Sequence, residues 1–181
     1  MDNQNKFTGL KIAEVMTRQP CTVAPDLSLA DAQERMYVNN IRHLVVTESG
    51  FVRGVISTRD ISFVSTLTTV EPAKIQVSAA MTSQPYTCTP ETTVLEVARQ
   101  MEQHRYGCAV IVENGAPVGM FTTTDALRVL RCSLTGEAVT PEVKPTHIVE
   151  QPAEREKIEH HTRVGTQGAS RNMGRAFDTS S

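Results

Sequence analysis

Apolar positions along this chain fall into short runs whose period changes from helical to extended and back. Leu29, Ala32 and Met36 recur at i, i+3 and i+7 behind Asp26 or Ser28, the stripe and cap of an amphipathic helix that Asn39-Asn40 ends. Leu44-Val45-Val46 is then continuously apolar, Ser49-Gly50 punctuates, and Val52 to Ile56 turns apolar again, which predicts a buried hairpin. A helix starting at Ser57 or Thr58 follows, with Ile61 and Val64 on its inner face. Ahead of all this, Pro20 and Pro25 bracket Cys21-Thr22-Val23 and suit it to an edge strand or loop. The predicted order is β-α-β-β-α. It then returns: extended Tyr86-Thr87-Cys88, a helix on Val94, Val97 and Met101, a strand from Cys108 to Val112, a turn at Asn114-Gly115, a strand from Val118 to Phe121, and a helix lined by Ala126, Leu127 and Leu130. A short helical turn over Leu10, Ile12, Ala13 and Val15-Met16 leads the first set.

The return keeps one register. A shift of 65 positions carries Gly54 onto Gly119, Met16-Thr17 onto Met81-Thr82, Gln19-Pro20 onto Gln84-Pro85, Met36 onto Met101 and Asp60 onto Asp125. Such constancy over about fifty residues marks a duplicated structural unit, and two units are too few for a solenoid, so they are expected to pack on each other. The division expected is a flexible lead at 1–8, units at 9–65 and 79–132, a linker at 66–78, and a largely disordered polar tail at 133–181. Within the tail a short helix between Ala153 and Arg163 is the one element suggested, with Arg155 and Glu159 at i, i+4.

Composition narrows the function classes. With 39% hydrophobic residues, 4% aromatics and no Trp, the 181-residue chain builds an ordinary aliphatic core. A net charge of −2 provides no global field toward nucleic acid or an anionic membrane. No apolar run approaches the roughly 20 residues of a membrane span. Met1 to Lys6 is polar with no apolar signal core after it, and the four cysteines form no CxxC pair, so they read as small buried hydrophobes. A reducing, cytoplasmic setting is expected.

The candidate chemistry sits in Gly54-Val55-Ile56-Ser57-Thr58-Arg59-Asp60 and its copy Gly119-Met120-Phe121-Thr122-Thr123-Thr124-Asp125. Ser57-x-x-Asp60 and Thr122-x-x-Asp125 have capping-box spacing, and spacing alone favours that structural role. The same geometry offers a ligand site. Free amides at a helix start attract phosphate, a carboxylate on the first turn accepts from both hydroxyls of a ribose, and Arg59 adds a cation. His43 beside Arg42 has no nucleophile or carboxylate at a readable spacing and is expected to line a cleft or sit hydrogen-bonded in the core. His160-His161 point apart on a helix with no further ligands nearby, so no metal site is expected.

In this order, and twice over, Val15-Met16-Thr17, Thr22-x-x-Pro25, Ile41 to Val46 and Gly54 to Asp60, then Ala80-Met81-Thr82, Thr87-x-x-Pro90, Tyr106 to Ile111 and Gly119 to Asp125, resemble a tandem pair of cystathionine β-synthase (CBS) domains, a Bateman module. The resemblance covers Val15 to Leu130 and implies an α/β (α+β) fold of two β-α-β-β-α repeats related by a pseudo-two-fold axis. It implies a regulatory, non-enzymatic module with no required cofactor. Such a module binds AMP, ADP, ATP or S-adenosylmethionine between repeats, forms a homodimer and signals to a partner protein. By that resemblance Ser57 with Asp60 and Thr122 with Asp125 hold ribose and phosphate, Ile41, Arg42 and His43 frame a base, and Tyr106, Gly107 and Cys108 are their counterparts. Val23 and Cys88 come from the edge segments. Arg59 is answered by Thr124, and Arg42-His43 by Gly107-Cys108, so the first cleft is expected to take more phosphate. The alternative is an interaction module with vestigial clefts that works through dimerisation and the tail.

Overall fold

The structure, a computed structural model, describes residues 9–66 and 71–143. Each repeat is built around one hairpin. β3 (His43–Glu48) and β4 (Phe51–Ser57) pair antiparallel in the first, and β7 (Cys108–Glu113) and β8 (Ala116–Thr122) in the second. Both hairpins turn through two residues in the left-handed region, Ser49-Gly50 and Asn114-Gly115, which suits the right-handed twist of the strands. β2 (Thr22–Val23) and β6 (Thr87–Cys88) lie parallel to β3 and β7 as edge strands.

Successive side chains on β3 point to opposite faces, yet Leu44, Val45 and Val46 are all fully buried. Leu44 and Val46 meet Leu29, Ala32 and Met36 of α1 (Leu29–Val38) and Ile61 of α2 (Thr58–Thr66). Val45 faces the other way and packs with Val55, Val110 and Met120 in a separate cluster joining the repeats. β7 does the same, sending Ala109 and Ile111 to Val97 and Met101 of α3 (Val94–His104) and Val110 to the joint. Burial on both faces explains the uninterrupted apolar runs.

The predicted helices form where their caps place them. Ser28, rather than Asp26, accepts from Asp31 N at 3.1 Å, and Thr93 accepts from Glu96 N at 3.2 Å. The last helix, α4 (Thr123–Thr135), differs from expectation in its phase. Asp125, Val129 and Cys132 turn inward, whereas Leu127 and Leu130, expected to line it, are 65% and 52% exposed. The buried cap aspartate in the first turn fixes that phase. The helix also runs past Cys132 to Gly136, whose left-handed φ of 75° ends it.

One feature of the topology runs against the sequence order of the repeats. Leu10 to Arg18 was expected to lead the first unit, but Ile12, Val15 and Met16 lie in the core of the second. β1 (Thr17–Arg18) pairs antiparallel with β8, Ile12 N donates to Thr92 O at 2.9 Å and Val94 N to Leu10 O at 2.9 Å. The mirror exchange spans the end of the expected linker and the start of the expected second unit. Val77 is fully buried in the first core, Val77 N donates to Leu27 O at 2.8 Å, and β5 (Thr82–Ser83) pairs with β4. The sheets are therefore β2-β3-β4-β5 and β6-β7-β8-β1-β9, where β9 (Glu142–Val143) lies parallel to β1 within the expected polar tail. The short helix expected between Ala153 and Arg163 lies outside the described residues, as do His160 and His161.

Two glycines make the exchange possible. A Cβ on Gly119 would stand 2.3 Å from Met16 Sδ, and one on Gly54 would stand 2.8 Å from both Met81 Sδ and Thr82 O. The glycine that opens each motif is required by the strand that crosses over to it.

Candidate functional site

Both motif aspartates close capping boxes. Asp60 Oδ2 accepts from Ser57 N at 2.8 Å and Ser57 Oγ at 2.6 Å, and Ser57 Oγ accepts from Asp60 N at 3.3 Å. Asp125 Oδ2 accepts from Thr122 N at 2.8 Å and Thr122 Oγ1 at 2.7 Å. Here the copies part. Asp125 Oδ1 additionally accepts from Thr17 Oγ1 at 3.1 Å and Arg128 Nη2 at 2.8 Å, and the residue is 4% exposed. Asp60 is half-buried and has only the cap bonds among the described residues.

Arg128, one helical turn beyond Asp125, is the hub of the second motif. Its Nη2 also donates to Val15 O at 2.7 Å and its Nη1 to Thr140 O at 2.8 Å. A planar fork with several donors suits such a junction where an ammonium would not. The guanidinium thus joins the motif carboxylate, the crossing N-terminal segment and the chain leading into β9.

A cavity of about 360 Å³ opens between the repeats, lined by Ile41, Arg42 and His43 from the first and Thr122, Thr124 and Asp125 from the second. Arg42 and His43 adjoin their own motif through the hairpin, His43 paired opposite Ser57 and Thr58 N donating to Arg42 O at 3.0 Å, and they also face the motif of the other repeat. The entrance to β3 of one repeat faces the motif of the other because the two hairpins pack across the valine joint. Arg42 Nη2 donates to Thr124 Oγ1 at 3.1 Å and ties the two halves together. The Asp60 carboxylate acts both on His43 of its own repeat and on the Cys108 thiol of the second. Gly107 lies against His43, with a Cβ there only 3.0 Å from His43 Nε2.

The remaining expected residues distribute as follows. Val23 and Cys88 are core residues, Val23 against Leu44 and Val46 and Cys88 against Ala109 and Ile111. The cavity edge is taken instead by Cys21 and Pro20, at the entrance to β2, about 7 Å up the strand from Val23. Arg59 is exposed on the Asp60 side, away from this cavity's lining. Tyr106 stacks between His104 and Tyr86, with ring centroids 5.2 and 5.7 Å away, so the rim of the second repeat is aromatic where the first has Asn39, Ile41 and Cys21. Sequence reasoning missed Thr17, Arg128 and Glu142 at the cavity. Arg128 stands at i+3 from Asp125 and Gln19-Pro20 is a repeated pair, so two signals existed; Glu142 carried none.

Burial keeps several titratable groups of the site neutral. Burial, followed by the Arg42 charge, holds His43 below the ordinary 6.5. Burial and then Asp60 push the Cys108 thiol up to about 12, and burial and then Glu96 push Cys88 up to about 11, so both thiols stay protonated. Among the described residues no helix is long and apolar enough to cross a membrane.

Known proteins resemble this chain in sequence and fold. The family model described as "CBS domain" matches twice, at residues 12–65 and 77–132. The CBS domain-containing protein YhcV of Bacillus subtilis is 25% identical over 130 residues, 71% of this chain and 92% of that protein. A solved structure of an uncharacterized conserved protein from Pyrococcus horikoshii superposes with a TM-score of 0.62 at 31% identity, covering 68% of this chain and 93% of that one. A homoserine O-acetyltransferase of Methanococcoides burtonii is 27% identical over 128 residues, 70% of this chain but only 25% of that enzyme.

Proposed function

Because the chain belongs to the CBS domain family and carries two copies in tandem, we propose that it is a regulatory module that binds adenosine-containing compounds between its repeats and passes the binding event to a partner protein. The observation that carries this reading is the cavity itself. It sets hydroxyl residues and a carboxylate at a helix start, Thr122, Thr124 and Asp125, opposite the apolar Ile41 and the Arg42 guanidinium. A ribose takes a carboxylate and hydroxyls, a purine takes an apolar slot, and the cavity volume suits a ligand of nucleoside size. Asp60, with Tyr106, Gly107 and Cys108, forms the pseudo-symmetric second site in this reading.

The module is a signalling one by this proposal, with AMP, ADP, ATP and S-adenosylmethionine as the ligands to compare, and a homodimer as its working form in the cytoplasm. A ligand biases such a module only through unequal affinity for two of its arrangements. Arg42, bonded to Thr124 across the cleft, is placed to sense that difference.

A second reading has an observation of its own. Each Asp125 oxygen already holds two hydrogen bonds, so Asp125 serves the fold as it stands, and an interaction module with unused clefts needs nothing more. Titration calorimetry with adenosine, AMP, ADP, ATP and S-adenosylmethionine separates the two. The ligand-sensor reading expects saturable binding that Arg42→Ala weakens at least tenfold and Asp125→Ala or Asp60→Ala abolishes in its own cleft. Absence of heat with every ligand, from folded protein, would leave the interaction module.

A further inference from the structure

Glu142 reaches the cavity from outside both repeats. It sits on β9, where Thr17 is paired opposite Glu142 and Arg18 opposite Val143. Glu142 N donates to Met16 O at 3.2 Å, and Arg128 fastens the preceding turn through Thr140 O at 2.8 Å. A segment of the polar tail is thereby an edge strand of the second sheet and part of the cavity wall.

Its charge changes the balance of the site. Arg128 is neutralised by Asp125 at 2.8 Å, and that pair is largely buried. His43 adds no cation at neutral pH, since burial and Arg42 hold it below 6.5. Among the described lining residues this leaves one cation, Arg42, and one further carboxylate, that of the exposed Glu142 at the rim. Such a lining offers no surplus of positive charge to a di- or triphosphate, and each added phosphate charge adds to the repulsion from the Glu142 carboxylate at the rim. Repulsion of this kind is a recognised source of selectivity, and at separations inside a Debye length it is only partly screened.

We propose that Glu142 is a specificity residue of this cavity, admitting adenosine compounds with no more than one phosphate and disfavouring ADP and ATP. The proposal rests on the adenosine-ligand reading above and narrows it. It also assigns the tail strand a role in the site: the segment that closes the wall decides the charge of what enters.

The test titrates adenosine, AMP and ATP into the full chain at about 0.15 M salt, comparing wild type with Glu142→Gln, Glu142→Lys and Glu137→Gln. Glu137 lies on the same segment, pairs with Arg131 outside the cavity, and controls for net charge. Expected is ATP binding strengthened about three- to tenfold by Glu142→Gln and further by Glu142→Lys, with adenosine affinity held within twofold and Glu137→Gln without effect. An unchanged AMP-to-ATP ratio in Glu142→Gln would overturn the proposal, as would an equal gain from Glu137→Gln. If Asp125→Ala still abolishes binding in that case, the cavity reading survives and only the role of Glu142 falls. Wild-type protein that binds none of the three overturns both.

Discussion

Alanine at position 60 removes a helix cap, whereas alanine at position 125 removes a cap and the counter-charge of Arg128 together. The Asp60→Ala loss is set at about 1 kcal/mol by the cap alone. Asp125→Ala removes the counter-charge of Arg128, whose side chain is 22% exposed, and drops the Thr17 bond, so a cost of about 2–4 kcal/mol is expected. Urea unfolding midpoints of the two variants check the ordering, and equal costs would show that the Arg128 junction contributes nothing. His43 supplies a pH signature. Its folded pKa lies below the 6.5 of the unfolded chain, so the unfolded state takes up the proton first. Stability present above pH 6.5 is therefore lost as pH falls through 6.5 toward the folded value. In His43→Gln the urea midpoint should fall less between pH 7.5 and 5.5 than in wild type, and parallel curves would refute the assignment. At this scale the hydroxyl-aspartate spacing was readable in both motifs. The partners of Arg128 were not, because Val15 O lies 113 residues away in sequence and Thr140 O is a backbone atom with no side-chain signature.

Among elements, the crossing strands and their glycines are the least forgiving contacts. Gly119→Ala drives a methyl into the flexible end of Met16, which can move, whereas Gly54→Ala meets backbone Thr82 O as well as Met81. Overpacking costs typically run at about 1–3 kcal/mol, and Gly54→Ala is expected near the top of that range with Gly119→Ala below it. Adding Met16→Ala to Gly119→Ala should recover part of the loss; simple additivity in the double-mutant cycle would remove the contact from the argument. Helix stripes and hairpins were legible because their periods are set by which face is buried. The exchange of Leu10–Arg18 and its mirror was not. Two-residue strands have no period to read, and both crossing segments obey the same 65-residue shift, so the repeat alignment is identical whichever unit they join. The burial of Val23 and Cys88 was hidden for a related reason: an edge strand two residues long does not reveal which of its side chains turn into the core.

For the whole molecule, the phase of α4 has a consequence beyond its own packing. With Asp125, Val129 and Cys132 inward, Leu127, Leu130 and Leu134 form an outward stripe at i, i+3 and i+7, 65%, 52% and 78% exposed. Several large aliphatic side chains aligned on one helix face mark a surface meant for contact, unlike apolar residues scattered singly. A homodimer of the kind proposed above would take this stripe as its shared face, helix against helix across a two-fold axis. Leu127→Glu with Leu130→Glu places like charges opposite each other in that arrangement and removes the apolar contact, while leaving the inward face of α4 untouched. Sedimentation velocity over a hundredfold range of concentration should then find the wild-type chain dimeric and the double variant monomeric, with the variant's far-ultraviolet dichroism unchanged. A wild-type chain that sediments as a monomer throughout, or a variant that stays dimeric, would take the α4 stripe out of self-association and leave it to a different protein.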